Sequence, residues 1–254
     1  MSTGITRRQA ITTGLKATAL LALGGGTAWL AKHKGLLPPS VRGIYGAPEA
    51  LTYAAQRLLL RDQTLAREFG RDMISKAFPA IGTKDPKDET YQRLRADNFN
   101  FWRLPIEGLV ERPQAFSLTE LKSFPSRTQV TQHVCQEGWS AIGEWTGVPL
   151  WRVLELVGVR PEARYVVFYA IDGWWDCVDM ADAWHPQTLL AYGMNGGTLP
   201  VPHGAPIRLR VERQLGYKSL KFVSRIEIRE SVADLGNGKG SDGSRFGYSW
   251  YAGI

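Results

Sequence analysis

Between residues 102 and 228, short runs rich in Val, Ile, Tyr and Phe are interleaved irregularly with short helical stretches. This irregularity constrains the fold more than any other feature. Residues 102–108, 128–135, 165–171, 207–211 and 222–228 read as strands bounded by turn residues. Ser117, followed three residues later by Glu120, has the form of a capping box and opens a short helix. Pro149 stands in the first turn of another, over residues 149–157. A doubly wound sheet would need strands and helices in regular succession. An α+β domain is expected instead, with no internal repeat.

Upstream, residues 49–76 carry apolar positions three and four apart and predict a helix that Gly70 interrupts or ends. Residues 38–48 are rich in proline and glycine and read as a linker. Before them, Arg7-Arg8 precedes an apolar run, residues 15–30, whose only charge is Lys16, and no acidic residue occurs before Glu49. A basic stretch followed by a short apolar one is an export signal, and paired arginines point to the twin-arginine route. Ala22-Leu23-Gly24 offers a small-x-small cleavage site; an uncleaved N-terminal membrane anchor is the alternative, with Gly24-Gly25-Gly26 weakening the run as a span. The expected organisation is signal or anchor over 1–37, linker and helix over 38–75, and one domain over 76–254 with an aromatic C-terminal tail. That tail, FGYSWYAGI, follows a glycine-rich stretch and is expected to dock back on the domain. The formal charge of +7 is spread without a Lys/Arg tract, which argues against nucleic acid and leaves room for an internal anionic ligand.

The chain holds two cysteines, Cys135 and Cys177. They could form a disulfide, as exported proteins often do. They could join His133 or His185 at zinc, although no CxxC or HxxxH unit is present. Cys135 could pair with His133, two residues away on the same strand face, as a nucleophile. It could also give one thiolate to a soft metal whose other ligands come from an organic cofactor. Residue chemistry alone leaves these readings open.

Longer motifs add a resemblance. VCQEGWSAIGEWTGVPL and HPQTLLAYGMNGGTLPVPHGAPIRLRVERQLGYKSLKFVSRIEI resemble the molybdopterin-binding domain of the sulfite oxidase family, over roughly residues 78–228. Among its members the chain looks most like stand-alone bacterial proteins exported by the twin-arginine route. The resemblance implies a mixed-sheet domain and a molybdenum–molybdopterin cofactor, with Cys135 as the protein's metal ligand. It implies pterin contacts at His203 and Arg208, and at Ser219, Leu220 and Lys221 after a glycine-aromatic-lysine turn. An early family contact segment falls on Phe78, Pro79 and Ala80, keeping the family's Phe78 and Gly82. A family threonine falls on Ala170, where only backbone contact is expected. From spacing alone, Lys218 and Lys221 would instead read as a solvated strand face.

The activity so implied is two-electron oxygen-atom transfer, with reduction of S-oxides or N-oxides as the expected direction. Sulfite oxidation, or a non-catalytic relative without the metal, are the alternatives. Asp172 is expected at the catalytic pocket with Trp174, Trp175 and Tyr217 at its mouth, where packing is the competing role of the tryptophans. This surrounding favours a neutral S-oxide over a dianion unless Arg103 or Arg213 folds into the pocket. With no haem-attachment motif and no sulfite oxidase dimerisation domain, a monomer is expected. Its electrons would come from a separate redox partner, a membrane or periplasmic cytochrome.

Overall fold

The computed structural model describes residues 37–39, 46–59 and 64–254. The twin-arginine pattern and its apolar run lie outside the described residues. In chain order the strands are β1 (Arg103–Gly108), β2 (Gln114–Ser117), β3 (Arg127–Val134), β4 (Ser140–Pro149), β5 (Tyr165–Ala170), β6 (Trp175–Asp179), β7 (Leu189–Met194), β8 (Gly197–Thr198), β9 (Arg208–Arg210) and β10 (Val223–Arg229). The helices are α1 (Ala47–Leu59), α2 (Glu89–Ala96), α3 (Leu118–Ser123), α4 (Leu150–Val157) and α5 (Met180–Ala183).

One sheet runs β2-β1-β10-β5-β6. It is mixed, because β1 lies parallel to β10 while its other pairs are antiparallel. The second is antiparallel, in the order β3-β4-β7-β8, with β9 paired to β7. The α+β expectation holds, and so does the mixed sheet.

The main core lies on one face of the mixed sheet. Leu104 and Ile106 of β1, Val166 and Phe168 of β5, and Ile226 and Ile228 of β10 are buried there, spaced two apart as a pleat requires. Against them pack Leu150, Val153, Leu154 and Val157 of α4, spaced three and four apart on one stripe. Fully burying a side chain of this size contributes about 1.5–3 kcal/mol. Gly158 ends α4 in the left-handed region at φ 67°, a position that suits glycine. Ser117 caps α3 in the expected box, accepting from Glu120 N–H while the Glu120 carboxylate returns to Ser117 N–H.

The opposite face is covered by α1 and the C-terminal tail. Val167 and Cys177 pack there with Tyr53, Trp250 and Tyr251. Arg57 on α1 reaches Asp179 and Asp182 at the start of α5, Tyr53 donates to Asp179, and Trp250 N–H donates to Glu49. The tail therefore docks as expected.

The helix expected over residues 49–76 is corrected. The described helix is Ala47–Leu59, and the chain from residue 64 runs beside the second sheet apart from a short 3-10 turn, Arg71–Met73. Phe69 N–H donates to Val130 C=O at 2.9 Å and Ser75 N–H to Ile142 C=O at 3.0 Å, while Glu68 bridges to Thr131. Sheet partners thus take the backbone groups that a helix would satisfy internally. The three-and-four apolar spacing could not register this competition.

Candidate active site

A cavity of about 480 Å³ opens where loops from both sheets meet, within the size range usual for small-molecule sites. Cys135 begins the hairpin loop between β3 and β4. Its N–H donates to Trp139 C=O at 2.9 Å, and its C=O accepts from Gly138 N–H at 3.1 Å. Gly138 closes that turn at φ 91°, which a side chain would strain. The buried Cys135 thiol is thereby held at the cavity wall. Burial pushes it above its ordinary pKa, with the Glu137 charge adding to that rise. Ser219, Leu220 and Lys221 line the cavity just after the turn Gly216–Lys218, and Arg208 enters it from β9. Phe78, Pro79 and Ala80 form another wall, and Asp172 stands in the turn between β5 and β6.

Two residues expected to touch the cofactor stand one layer back among the cavity's neighbours. The His203 ring meets the Phe78 ring edge-on at 5.6 Å, and its backbone carbonyl accepts from Arg208 at 3.4 Å. Ala170 is spent on the β5–β6 turn, its N–H donating to Trp174 C=O and its C=O accepting from Gly173 N–H. Trp174 and Tyr217 line the cavity as expected, but Trp175 does not. It packs with the cluster of Cys177 and Trp250 on the other face of the sheet, because residues two apart on β6, Trp175 and Cys177, share a face.

The electrostatics are lopsided. Arg208 is buried, lies over the Trp145 ring at 5.3 Å, and has no partner for its Nε–H. Burial, reinforced by nearby Arg210, lowers its pKa to about 9. Two residues along, Arg210 is bound to Glu212 through both Nε and Nη2. The strand therefore carries one neutralised cation and one without a carboxylate. Lys221 is half-buried, and its ammonium donates to the carbonyls of Ile81, Thr83 and Pro202; burial and Arg208 lower its pKa to about 8. Lys218 is fully buried against Asp176. Neither lysine lies on a solvated strand face.

Sequence reasoning missed several wall residues: His133, considered only as a thiol partner or a zinc ligand, then Gln136, Glu137 and Trp139, and Phe246 and Tyr248 from the tail. The first four flank Cys135 in sequence, so proximity was a usable signal. The tail residues gave none beyond their aromatic character.

Both cysteines are free thiols. Cys177 is enclosed on the far face of the mixed sheet, donating to Gly240 C=O and accepting from Trp250 Nε1–H, and burial raises its pKa to about 12. A disulfide to the cavity cysteine is corrected by this placement. Among the described residues no three His, Cys, Asp or Glu side chains gather as a metal site, so the zinc reading has no ligand set. His133 faces Arg210, which donates to its Nδ1 at 2.9 Å.

A cavity with the Cys135 thiol, a buried guanidinium that has no carboxylate partner among the described residues, and aromatic walls suits an anionic cofactor. The polar hydrogens of Arg208 Nε and Trp139 Nε1 are buried without partners, which fits a ligand rich in acceptors. The chain belongs to the oxidoreductase molybdopterin-binding domain family, whose model matches residues 91–235. It is a molybdopterin-binding oxidoreductase. It is 36% identical to a protein of Azospira oryzae named "Putative protein-methionine-sulfoxide reductase subunit YedZ1" over 84% of this chain and 78% of that one. It is 34% identical to the protein-methionine-sulfoxide reductase catalytic subunit MsrP of Campylobacter jejuni over 52% of this chain, spanning about half of that relative. The sulfane dehydrogenase SoxCD of Paracoccus pantotrophus shares the fold, with a TM-score of 0.51, 24% identity, and coverage of 67% of this chain and 46% of that one.

Proposed function

We propose that this protein is an exported molybdenum enzyme that reduces S-oxides, or N-oxides, by oxygen-atom transfer. The observation that carries the reading is the presence, in one cavity, of the Cys135 thiol and a buried Arg208 that has no carboxylate partner among the described residues. Cys135 would give its sulfur to molybdenum, which would hold it as thiolate despite the burial that raises its pKa when free. Arg208, Lys221 and the Ser219 hydroxyl would hold the anionic end of the pterin. Phe78 and Leu220 would cover its flat faces. When bound, the cofactor supplies two-electron oxygen-atom chemistry. The substrate S-oxide takes up two electrons and two protons and leaves as thioether and water. Asp172, at the cavity mouth, orients the substrate. The match to two methionine-sulfoxide reductase subunits supports S-oxides as the substrate class.

Sulfite oxidation is a second reading, favoured by the two cations Arg208 and Lys221 in the cavity. Arg103 and Arg213 add nothing to it, since Arg103 donates to the carbonyls of Asn100 and Trp102, and Arg213 binds Asp182. Paired assays on metal-loaded enzyme separate the two: reduced viologen with methionine sulfoxide or dimethyl sulfoxide, and ferricyanide with sulfite. Sulfoxide turnover is expected; sulfite turnover alone reverses the assignment.

The paired arginines and the apolar run support export of the folded protein by the twin-arginine route to the periplasm, cleaved or retained as an anchor. Among the described residues no helix is long and apolar enough to cross a membrane. Electrons would arrive from a separate cytochrome in the membrane or periplasm.

A further inference from the structure

Four aromatic rings are stacked along the mouth of the cavity. Trp174 lies on Phe246 with centroids 5.3 Å apart and planes at 24°. Phe246 follows Tyr248 at 6.2 Å and 29°, and Tyr248 lies on Tyr217 at 5.0 Å and 29°. All four line the cavity. The rings around Phe78 behave differently: it meets Trp139, Trp145 and His203 edge-on at 82–84° and His133 tilted at 44°. The four-ring run is thus near-parallel, whereas the rings around Phe78 meet it edge-on or tilted.

The stack is fixed by hydrogen bonds behind it. Tyr217 OH donates to Ser249 C=O at 2.6 Å, and Ser241 Oγ donates to Asp176, which also binds Lys218. Phe246 is 57% exposed while it lines the cavity, so the stack is reachable from solvent. The nearest charges are engaged: Arg245 is paired with Asp242, and Asp172 accepts Trp174 N–H. Phe246 and Tyr248 also lie beyond residue 235, where the family match ends. The other two rings, Trp174 and Tyr217, lie within the matched residues.

We propose that the stack is a substrate subsite that takes a planar aromatic group carried beside the S- or N-oxide. Aryl-substituted oxides are then favoured over saturated ones of the same size. The proposal rests on the oxide-reductase reading. Ring-on-ring pairing contributes beyond simple area burial, and corresponds to a preference of about 2- to 12-fold for one added contact.

The test uses the molybdenum-loaded enzyme with methyl phenyl sulfoxide and methyl cyclohexyl sulfoxide, which differ mainly in planarity. Calorimetric binding to the oxidised enzyme, with no reductant present, is measured alongside reduced-viologen kinetics for wild type and Phe246→Leu. The expected result is tighter binding and lower KM for the phenyl compound in wild type, with the preference reduced toward unity in Phe246→Leu at unchanged molybdenum content. Ring-dependent binding without turnover of either compound would support the subsite and sink the reductase reading. Equal binding of the two sulfoxides, no binding of either, or a preference that survives Phe246→Leu, would overturn the subsite.

Discussion

The Arg210 guanidinium donates to His133 Nδ1 at 2.9 Å while gripping Glu212 with two further hydrogen bonds. Arginine can only donate, so Nδ1 is the acceptor and the neutral ring carries its hydrogen on Nε2. One fully buried ion pair therefore fixes the tautomer of a ring in the cavity wall beside Cys135.

Arg210→Met leaves Glu212 buried with Gln129 as its remaining side-chain partner. Removing one member of a buried pair costs about 3–5 kcal/mol, and urea unfolding of the cofactor-free protein should show a loss of this order. The double replacement Arg210→Met/Glu212→Leu should recover most of it. A double variant as unstable as the single one would show that the pair is not the source.

Arg208→Met should separate stability from binding. Arg208 is buried without a carboxylate, so its charge is a cost to the empty fold. The cofactor-free variant is expected to melt at or above the wild-type temperature, while pterin content, read by fluorescence after release, falls at least tenfold. Lower apoprotein stability with full pterin content would reverse the role assigned to this side chain.

The histidines set the acid limit. Burial and neighbouring arginines lower the pKa of His185 and His203 from 6.5 to about 4. The unfolded chain therefore binds protons that the folded chain refuses, and stability falls as pH drops from about 6.5 to about 4. Denaturation of the cofactor-free protein across this range should show that slope, and His185→Gln should flatten it. An unchanged slope in the variant would remove His185 as a cause.

The sequence made legible what depends on short-range pattern: the Ser117 capping box, the α4 stripe and the strands β1, β3, β5, β9 and β10. It concealed elements whose cause is tertiary. The glycine-bearing β4 and β7 have no plain alternation, because β4 is buried almost throughout between β3 and β7. Residues 64–76 satisfy a helical spacing but spend their backbone on the second sheet.

The site was legible to the extent that motif resemblance reached it. Cys135, Arg208 and the run from Ser219 to Lys221 meet in one cavity. The placement of His203 behind Phe78 and of Trp175 on the reverse face depends on ring packing and pleat direction, which no motif records. The tail's contribution of Phe246 and Tyr248 arises from docking across the fold, beyond the end of the matched region.

The most direct test of Cys135 as the metal ligand is X-ray absorption at the molybdenum edge of loaded wild type, Cys135→Ser and Cys177→Ser. Wild type and Cys177→Ser should show three sulfur neighbours at the metal, two from the pterin and one from the protein. Cys135→Ser should keep its fold, lose one sulfur, and lose sulfoxide turnover, since a hard alkoxide replaces thiolate poorly. An unchanged sulfur count in Cys135→Ser, or the loss of a sulfur in Cys177→Ser, would contradict the assignment.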